Sequence, residues 1–304
     1  MGLLLEVKNL NKQFKDIQAV KDLSFTVHSG DVYGFLGQNG AGKSTTLRML
    51  LKLIRPDSGE ILFKGKNIIH DHNSMLRQTG AVIEKPDLYK YLSAYDNLSI
   101  FAKMSGTKAS RSLIMGELER VGLAERAHSK VKTFSQGMKQ RLGIAVALVH
   151  SPELIILDEP VNGLDPQGIA DIRELINMLS REKGKTVIVS SHLLSEIELI
   201  ANRMIIIHKG KKIAEGNVAE LLDPAYTVVE IGTTNNTAAL EKLKQSRWFV
   251  NLEMSPKNIR LRMNSAEVPE LVASLTAMDI NLTALLPRHS LEDYFLSLTN
   301  NEPQ

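Results

Sequence analysis

The sequence predicts an α/β fold. It calls for a mostly parallel sheet with helices packed on it, a helical insert, and a small α+β domain at the C-terminal end. Three observations lead there. Asp31–Leu36 is an apolar run of strand length, Leu154–Leu157 reads as a buried parallel strand, which needs no polar face, and Thr186–His192 as another buried strand. A glycine-rich stretch, 37–42, joins the first run to a segment that is apolar at helical spacing. Around Asp223-Pro224 the character changes, and no phosphate or metal motif follows. A length of 304 residues suits one large and one small domain. The expected division is 1–222 and 223–304, with the helical insert at about 87–150.

The chain is organised around Gly37-Gln38-Asn39-Gly40-Ala41-Gly42-Lys43-Ser44, followed by Thr45 and Thr46. This fits G-x-x-x-x-G-K-[ST], the phosphate-binding P-loop. Strand, glycine-rich loop and helix are the context that the motif needs. The glycines let the backbone curl so that its N–H groups face phosphate oxygens. The helix start adds unpaired N–H groups and its positive end. Lys43 has the reach for β- and γ-phosphates, and the Ser44 hydroxyl suits Mg²⁺. Binding of a nucleoside triphosphate follows. The loop alone does not separate ATP from GTP.

Before the loop, residues 3–7 and Ser24–Val27 read as strands. Phe14 lies in a polar segment on the approach to the loop. It is either a half-buried loop aromatic or a platform for an adenine ring. After the helix, Pro56–Glu60 is a turn and Ile61–Phe63 a short strand. Ala81-Val82-Ile83 is a strand leading into Glu84-Lys85-Pro86. Residues 87–130 are helical in character, with breaks at Gly106 and Gly122. Phe134-Ser135-Gln136-Gly137-Met138 opens a long helix with Ser135 at the N-cap position. Its start is either an ordinary cap or a second anion site.

Leu154–Leu157 ends on Asp158-Glu159. Carboxylates at the C-terminal end of a buried strand sit where open α/β sheets bind ligands. Asp158 there would hold Mg²⁺ through water, and Glu159 would orient and deprotonate an attacking water. Gly163-Leu164-Asp165-Pro166 is a turn before a helix. Thr186–Ser191 is a strand that ends on His192, within reach of a γ-phosphate. Met204–His208 and Lys212–Glu215 flank Lys209-Gly210-Lys211 as a hairpin. Beyond Tyr226 the order is strand, helix (238–245), hairpin (249–254 with 259–263), helix (266–277), strand (280–286) and helix (290–298). That order is ferredoxin-like.

Composition bounds the partners. Lys plus Arg is 37 and Asp plus Glu 34, so the net charge of +3 gives no argument for nucleic acid. The 43% hydrophobic content supports a real core, and the absence of cysteine excludes a disulfide. Met1–Glu6 lacks the basic-then-apolar pattern of a secretory signal and is expected to begin a strand. No run of 18 apolar residues occurs, so a membrane function requires another chain to cross the bilayer.

Taken together, these motifs resemble the ATP-binding subunit of an ABC transporter, a P-loop NTPase. Gly37–Ser44 is the P-loop and Leu154–Glu159 the Walker B strand. Ser135-Gln136-Gly137-Met138 stands at the family's Leu-Ser-Gly-Gly-Gln signature. Gly163-Leu164-Asp165 resembles the D-loop, His192 the switch histidine, and Phe14 the aromatic that stacks on adenine. The resemblance covers residues 1 to about 220. Two features depart from it. The signature carries Gln136 and Met138 where the family has Gly and Gln, and Glu84 replaces the usual Q-loop glutamine. With 137–143 and Ser-Leu-Glu-Asp-Tyr-Phe at 290–295, these features resemble the bacitracin-resistance and lantibiotic-immunity branch.

The resemblance implies ATP and Mg²⁺ as cofactors, with Ser44, Glu84 and Asp158 toward the metal. It implies a head-to-tail pair of copies, with nucleotide between one copy's P-loop and the other's Ser135, Gln136 and Gly137. It also implies separate polytopic permease subunits, a peripheral place on the cytoplasmic face of the plasma membrane, and export of a peptide antibiotic. The alternatives are a soluble ATPase of the same family acting on ribosomes or nucleic acid, and a regulatory module. A single P-loop and the lack of a sustained heptad run set this chain apart from the translation and chromosome types.

Overall fold

Why the chain folds this way begins with strands that have no polar face. β1 (Leu3–Phe14) and β2 (Ile17–His28) form a long antiparallel hairpin. β3 (Val32–Leu36) is buried at all five positions. After α1 (Lys43–Leu50) come β4 (Ser58–Phe63), β5 (Lys66–Asn67), α2 (Ser74–Arg77) and β6 (Thr79–Val82). The insert carries α3 (Ala94–Met104), α4 (Arg111–Arg120) and α5 (Gln136–Leu148). β7 (Leu154–Asp158), α6 (Pro166–Arg181), β8 (Thr186–Ser191), α7 (Leu194–Ile200), β9 (Arg203–His208) and β10 (Lys211–Asn217) complete the first unit. The computed structural model describes residues 2–70, 74–181, 184–221, 227–254 and 259–288.

Two sheets enclose the main core. One is antiparallel in the order β2-β1-β4-β5. The other runs β10-β9-β3-β8-β7-β6, parallel except for the edge strand β10. Phe25 of the first sheet packs on Tyr33 and Phe35 of the second, with ring centroids 5.9 Å and 5.4 Å away. Leu47 and Leu50 of α1 close the same cluster. Parallel register places the C-terminal ends of β3, β6, β7 and β8 side by side, and that edge is where such sheets hold ligands.

Several elements differ in extent from the sequence reading. The first two strands run to Phe14 and His28 rather than covering 3–7 and 24–27. Register shifts interrupt their pairing between Val7 and Leu10 and between Leu10 and Lys12, and Asn9 and Asp22 take positive φ. Such bulges break the alternation from which strands are read. The helix expected at 46–54 starts three residues earlier, at Lys43. Within 87–130 only α3 and α4 are α-helical, with a short 3₁₀ turn at Ala124–Arg126 and another just past the range at Val131–Thr133.

The second compact unit begins at Val218, and the first ends at Asn217. It contains α8 (Val218–Leu221), β11 (Thr227–Thr233), α9 (Asn236–Lys244), β12 (Leu252–Met254), β13 (Ile259–Met263), α10 (Val268–Ala277) and β14 (Leu282–Arg288). Strand order β12-β13-β11-β14, antiparallel at each pairing, is the ferredoxin-like arrangement. Val229, Ile231, Leu243, Trp248, Leu261 and Leu271 form its own core. Asp223-Pro224, Tyr226 and the expected helix at 290–298, with its Ser-Leu-Glu-Asp-Tyr-Phe stretch, lie outside the described residues.

The helix α5 is seated on the parallel sheet at Gly80 of β6. A Cβ there would lie 2.1 Å from the carbonyl oxygen of Ala147, a backbone atom on α5. Gly80→Ala is therefore expected to destabilise the chain by about 1–3 kcal/mol, lowering Tm by roughly 2–10 °C. Thermal unfolding followed by circular dichroism checks this, and an unchanged Tm would show that α5 can move freely off the sheet. The separate cores carry a second expectation. A chain ending at Asn217 should fold and bind ATP with an affinity within about threefold of the full chain, a difference of under 1 kcal/mol. Equilibrium nucleotide titration of the two proteins is the measurement.

Candidate functional site

The site is built from the strand ends upward. Leu36 closes β3, and the loop 37–42 carries the chain into α1. Gly42 precedes the helix at φ 102, and a Cβ there would lie 2.4 Å from the carbonyl oxygen of Ala19, so only glycine fits. Gln38, Asn39 and Gly40 are exposed on the outer arc, whereas Ala41 is buried. Ala41 N–H donates to Gln38 O at 3.1 Å, which tightens the loop. Ser44 and Thr45 are half-buried in the first helical turn, and the Thr46 hydroxyl donates to Gly42 O at 2.9 Å.

Lys43 is only 5% exposed. A buried ammonium is costly unless its donors are used. Here they reach Gly37 O at 2.7 Å, Gln38 O at 3.3 Å and Glu159 Oε1 at 3.1 Å. Glu159 follows β7 in a left-handed conformation, φ 49. Its second carboxylate oxygen lies 2.6 Å from His192 Nδ1. A carboxylate only accepts, so Nδ1 carries the shared proton. Glu159 is thus clamped between Lys43 and His192.

The sequence reading missed the residue that holds this arrangement together. Ser190 sits opposite Asp158 in the parallel register of β7 and β8. Its hydroxyl donates to Asp158 Oδ1 at 2.6 Å and accepts from Glu159 N–H at 2.9 Å. Both Ser190 and Asp158 are buried. The available signal was a hydroxyl inside an otherwise apolar strand beside the acids. Next along, Ser191 Oγ donates to Glu196 at 2.9 Å. Burial pushes the Glu196 carboxyl up, and the nearby Glu159 charge adds to the rise while Ser191 opposes it.

Ser44, Glu84, Asp158 and Glu159 line one cavity of about 690 Å³, together with Gln136, Gln140, Asn162 and Gly163. Its residues fit a magnesium nucleotide. The loop offers backbone N–H groups at a helix start, and Lys43 supplies a cation. Ser44, Asp158 and Glu84 are hard oxygen donors, which Mg²⁺ prefers. Among the described residues no cluster of three or more His, Cys, Asp or Glu could cage a metal alone.

Glu84 leaves β6 with φ 58 and forms an ion pair with Arg48 of α1. Arg48 is thus a partner that the sequence reading did not identify. Gln136 Nε2 donates to Asn162 O at 3.3 Å on the cavity wall. Thirteen of the expected residues do not line this cavity: the loop 37–42, Lys43, Thr45 and His192, whose places are given above, and Ser135, Gly137, Asp165 and Phe14. Ser135 caps α5, its hydroxyl accepting from Met138 N–H at 3.2 Å. A Cβ on Gly137 would lie 3.9 Å from Leu164 Cδ2. Asp165 accepts from Gly168 N–H at 3.0 Å at the start of α6. Phe14 closes the β1–β2 hairpin, 42% exposed, with the Lys12 ammonium 5.3 Å from its ring centre.

A phosphate loop between β3 and a helix, and an acid pair at the end of β7, one strand further along the C-terminal edge of the parallel sheet beyond β8, define a P-loop nucleoside triphosphatase. The ABC transporter family profile matches residues 20–162. The chain is 39% identical over 300 residues to the bacitracin transport ATP-binding protein BcrA of Bacillus licheniformis, covering 98% of each. It is 44% identical over 212 residues to the lantibiotic transport ATP-binding protein SrtF of Streptococcus pyogenes, covering 70% of this chain and 90% of that protein. A dimeric ATP-binding cassette solved in a post-hydrolysis state with ADP and Pi aligns with a TM-score of 0.64 and 26% identity. That alignment covers 71% of this chain and 99% of the cassette. The chain belongs to the ABC transporter family of ATP-binding proteins, and it is an ATPase.

Ser190 gives a direct test of the site's geometry. Ser190→Ala leaves the half-buried Glu159 N–H without this partner and frees the buried Asp158 carboxylate. The expected cost is about 1–3 kcal/mol of stability. ATPase activity should also fall by roughly an order of magnitude or more, because the acid pair loses its fixed position. Urea unfolding and steady-state ATP hydrolysis measure the two effects.

Proposed function

We propose that this chain is the ATP-hydrolysing subunit of a transporter that expels peptide antibiotics through separate permease subunits, giving resistance or self-protection. The observation that carries the substrate class is the length of the match to the bacitracin transport protein. It spans the second unit as well as the cassette, whereas the solved cassette stops short of it. The similarity to the lantibiotic transport protein points the same way. No helix among the described residues is long and apolar enough to cross a membrane, which supports a peripheral subunit on the cytoplasmic face. A groove of about 460 Å³ lined by Lys85, Pro86, Leu88, Lys90 and Lys139 lies between Glu84 and the signature, where the permease is expected to dock.

In this reading the P-loop backbone and Lys43 bind the phosphates. Ser44, Asp158 and Glu84 face the metal, and Mg²⁺ when bound neutralises charge on the β- and γ-phosphates. Lys43 then exchanges Glu159 for phosphate. Glu159 keeps His192, whose Nδ1 holds the carboxylate in place to orient and deprotonate water. His192 presents its other nitrogen toward the γ-phosphate. Phe14 stacks on the adenine. Ser135, Gln136, Gly137 and Asp165 complete the site of a second copy packed head to tail; of these only Gln136 also lines this copy's own cavity.

Glu159→Gln keeps the shape and removes the base. It should retain ATP binding, lower hydrolysis by about two to four orders of magnitude, and accumulate an ATP-bound dimer on gel filtration. Hydrolysis at the wild-type rate would overturn the assignment. The substrate class is tested in cells. Deleting the gene should raise sensitivity to bacitracin or to a lantibiotic, and Glu159→Gln should not restore resistance. Unchanged sensitivity to both would remove the peptide-antibiotic reading and leave the ATPase intact.

A further inference from the structure

Glu84 brings a charge into the nucleotide cavity, and the structure pairs that charge with a residue outside the usual site. Resting on the reading of Glu84 as a metal ligand, we propose that Arg48 is the internal counter-ion that Glu84 exchanges for Mg²⁺. The pair is then a charge switch between the P-loop helix and the segment that leads to the signature helix.

Four observations carry this. First, Lys43 is committed elsewhere, to Gly37 O, Gln38 O and Glu159. Arg48 is the cation with which the structure pairs Glu84 among the described residues. Second, the cavity is rich in acids. Glu84, Asp158 and Glu159 all line it against one lysine, Lys85, so the lining is net acidic and phosphates entering beside an unpaired Glu84 would meet repulsion. Third, the pair is easily exchanged. The Glu84 side chain is 66% exposed and that of Arg48 33%, and exposed pairs are weak. A divalent ion at a hard oxygen site competes well against such a partner. Fourth, both ends are mechanically placed. Arg48 lies on α1, the helix that Lys43 begins, so its position is fixed relative to the phosphate loop. Two residues after Glu84, Pro86 packs against α5, where a Cβ on Gly143 would lie 2.5 Å from Pro86 Cγ.

The consequence is specific. With nucleotide alone, Glu84 stays on Arg48 and its charge is masked. With the magnesium complex, Glu84 turns to the metal and releases Arg48, and the segment 84–86 shifts against α5. Arg48 is a positioning residue in this scheme, acting through Glu84.

The test is equilibrium binding of a fluorescent ATP analogue to the full chain, in Mg²⁺ and in EDTA. The readout is the ratio of Kd in EDTA to Kd in Mg²⁺. Arg48→Ala should raise that ratio by about two- to fivefold, the range that an exposed pair allows. It does so by weakening metal-free binding and strengthening the magnesium complex. Arg48→Lys should stay near wild type. Glu84→Ala should lower the ratio, and adding Arg48→Ala to it should change nothing further, as a shared pathway requires. If Arg48→Ala shifts both Kd values by one common factor, or acts equally in the Glu84→Ala background, the switch is wrong while Glu84 as a ligand stands. If Glu84→Ala keeps the wild-type ratio, the ligand reading itself fails and the switch falls with it. Thermal unfolding of each variant separates a folding defect from either result.

Discussion

A buried ammonium with three partners is the constraint on which the site depends. Lys43 cannot remain inside the protein unpaired. Two of its partners are carbonyls of its own loop, which fixes the loop's curl. The third is Glu159, which ties β3 and α1 to β7. From Glu159 the network runs to His192 through the carboxylate and to Ser190 through the backbone, reaching β8. Ser190 returns to Asp158 and closes the circuit. Five side chains, those of Lys43, Asp158, Glu159, Ser190 and His192, therefore hold one another in place.

The same packing determines what the site can communicate with. The helix α5 begins at the signature and passes over the sheet at two close contacts. Gly80 meets the carbonyl of Ala147, and Gly143 meets Pro86. Close-packed interfaces of this kind transmit displacement because they have no free volume to absorb it. Pro86 belongs to the segment that Glu84 begins. A change at Glu84 thus has a short physical route to Ser135 and to the lysine-lined groove at Lys85, Lys90 and Lys139. In a transporter subunit this is the direction in which the state of the nucleotide must be reported.

The second unit is built on a different principle. Its antiparallel sheet buries one face against α9 and α10, and its core includes Trp248 and Leu271. Every residue of the candidate nucleotide site lies within Met1–Asn217. The match to the bacitracin transport protein of Bacillus licheniformis covers 98% of this chain and so includes this region.

Much of the fold was readable from the chain because its determinants are local. The loop 37–44 is a contiguous motif, and Val32–Leu36, Leu154–Leu157 and Thr186–Val189 are contiguous apolar runs. A central parallel strand is buried on both faces, so its identity depends on no neighbour. Asp158, Glu159 and His192 were legible for the same reason, as polar residues at the ends of such runs. Hairpin lengths were not, because bulges at Val7–Leu10 and Leu10–Lys12 erase the alternation. Ser190 and Arg48 were not legible either. Ser190 acts through the register between β7 and β8, and Arg48 through a partner 36 residues away. The sequence by itself marked the candidate residues for the chemistry and the change of character near Asp223-Pro224. Only the tertiary structure decided which charges neutralise one another, because pairing depends on distances between strand ends and helix turns that no single stretch of chain contains.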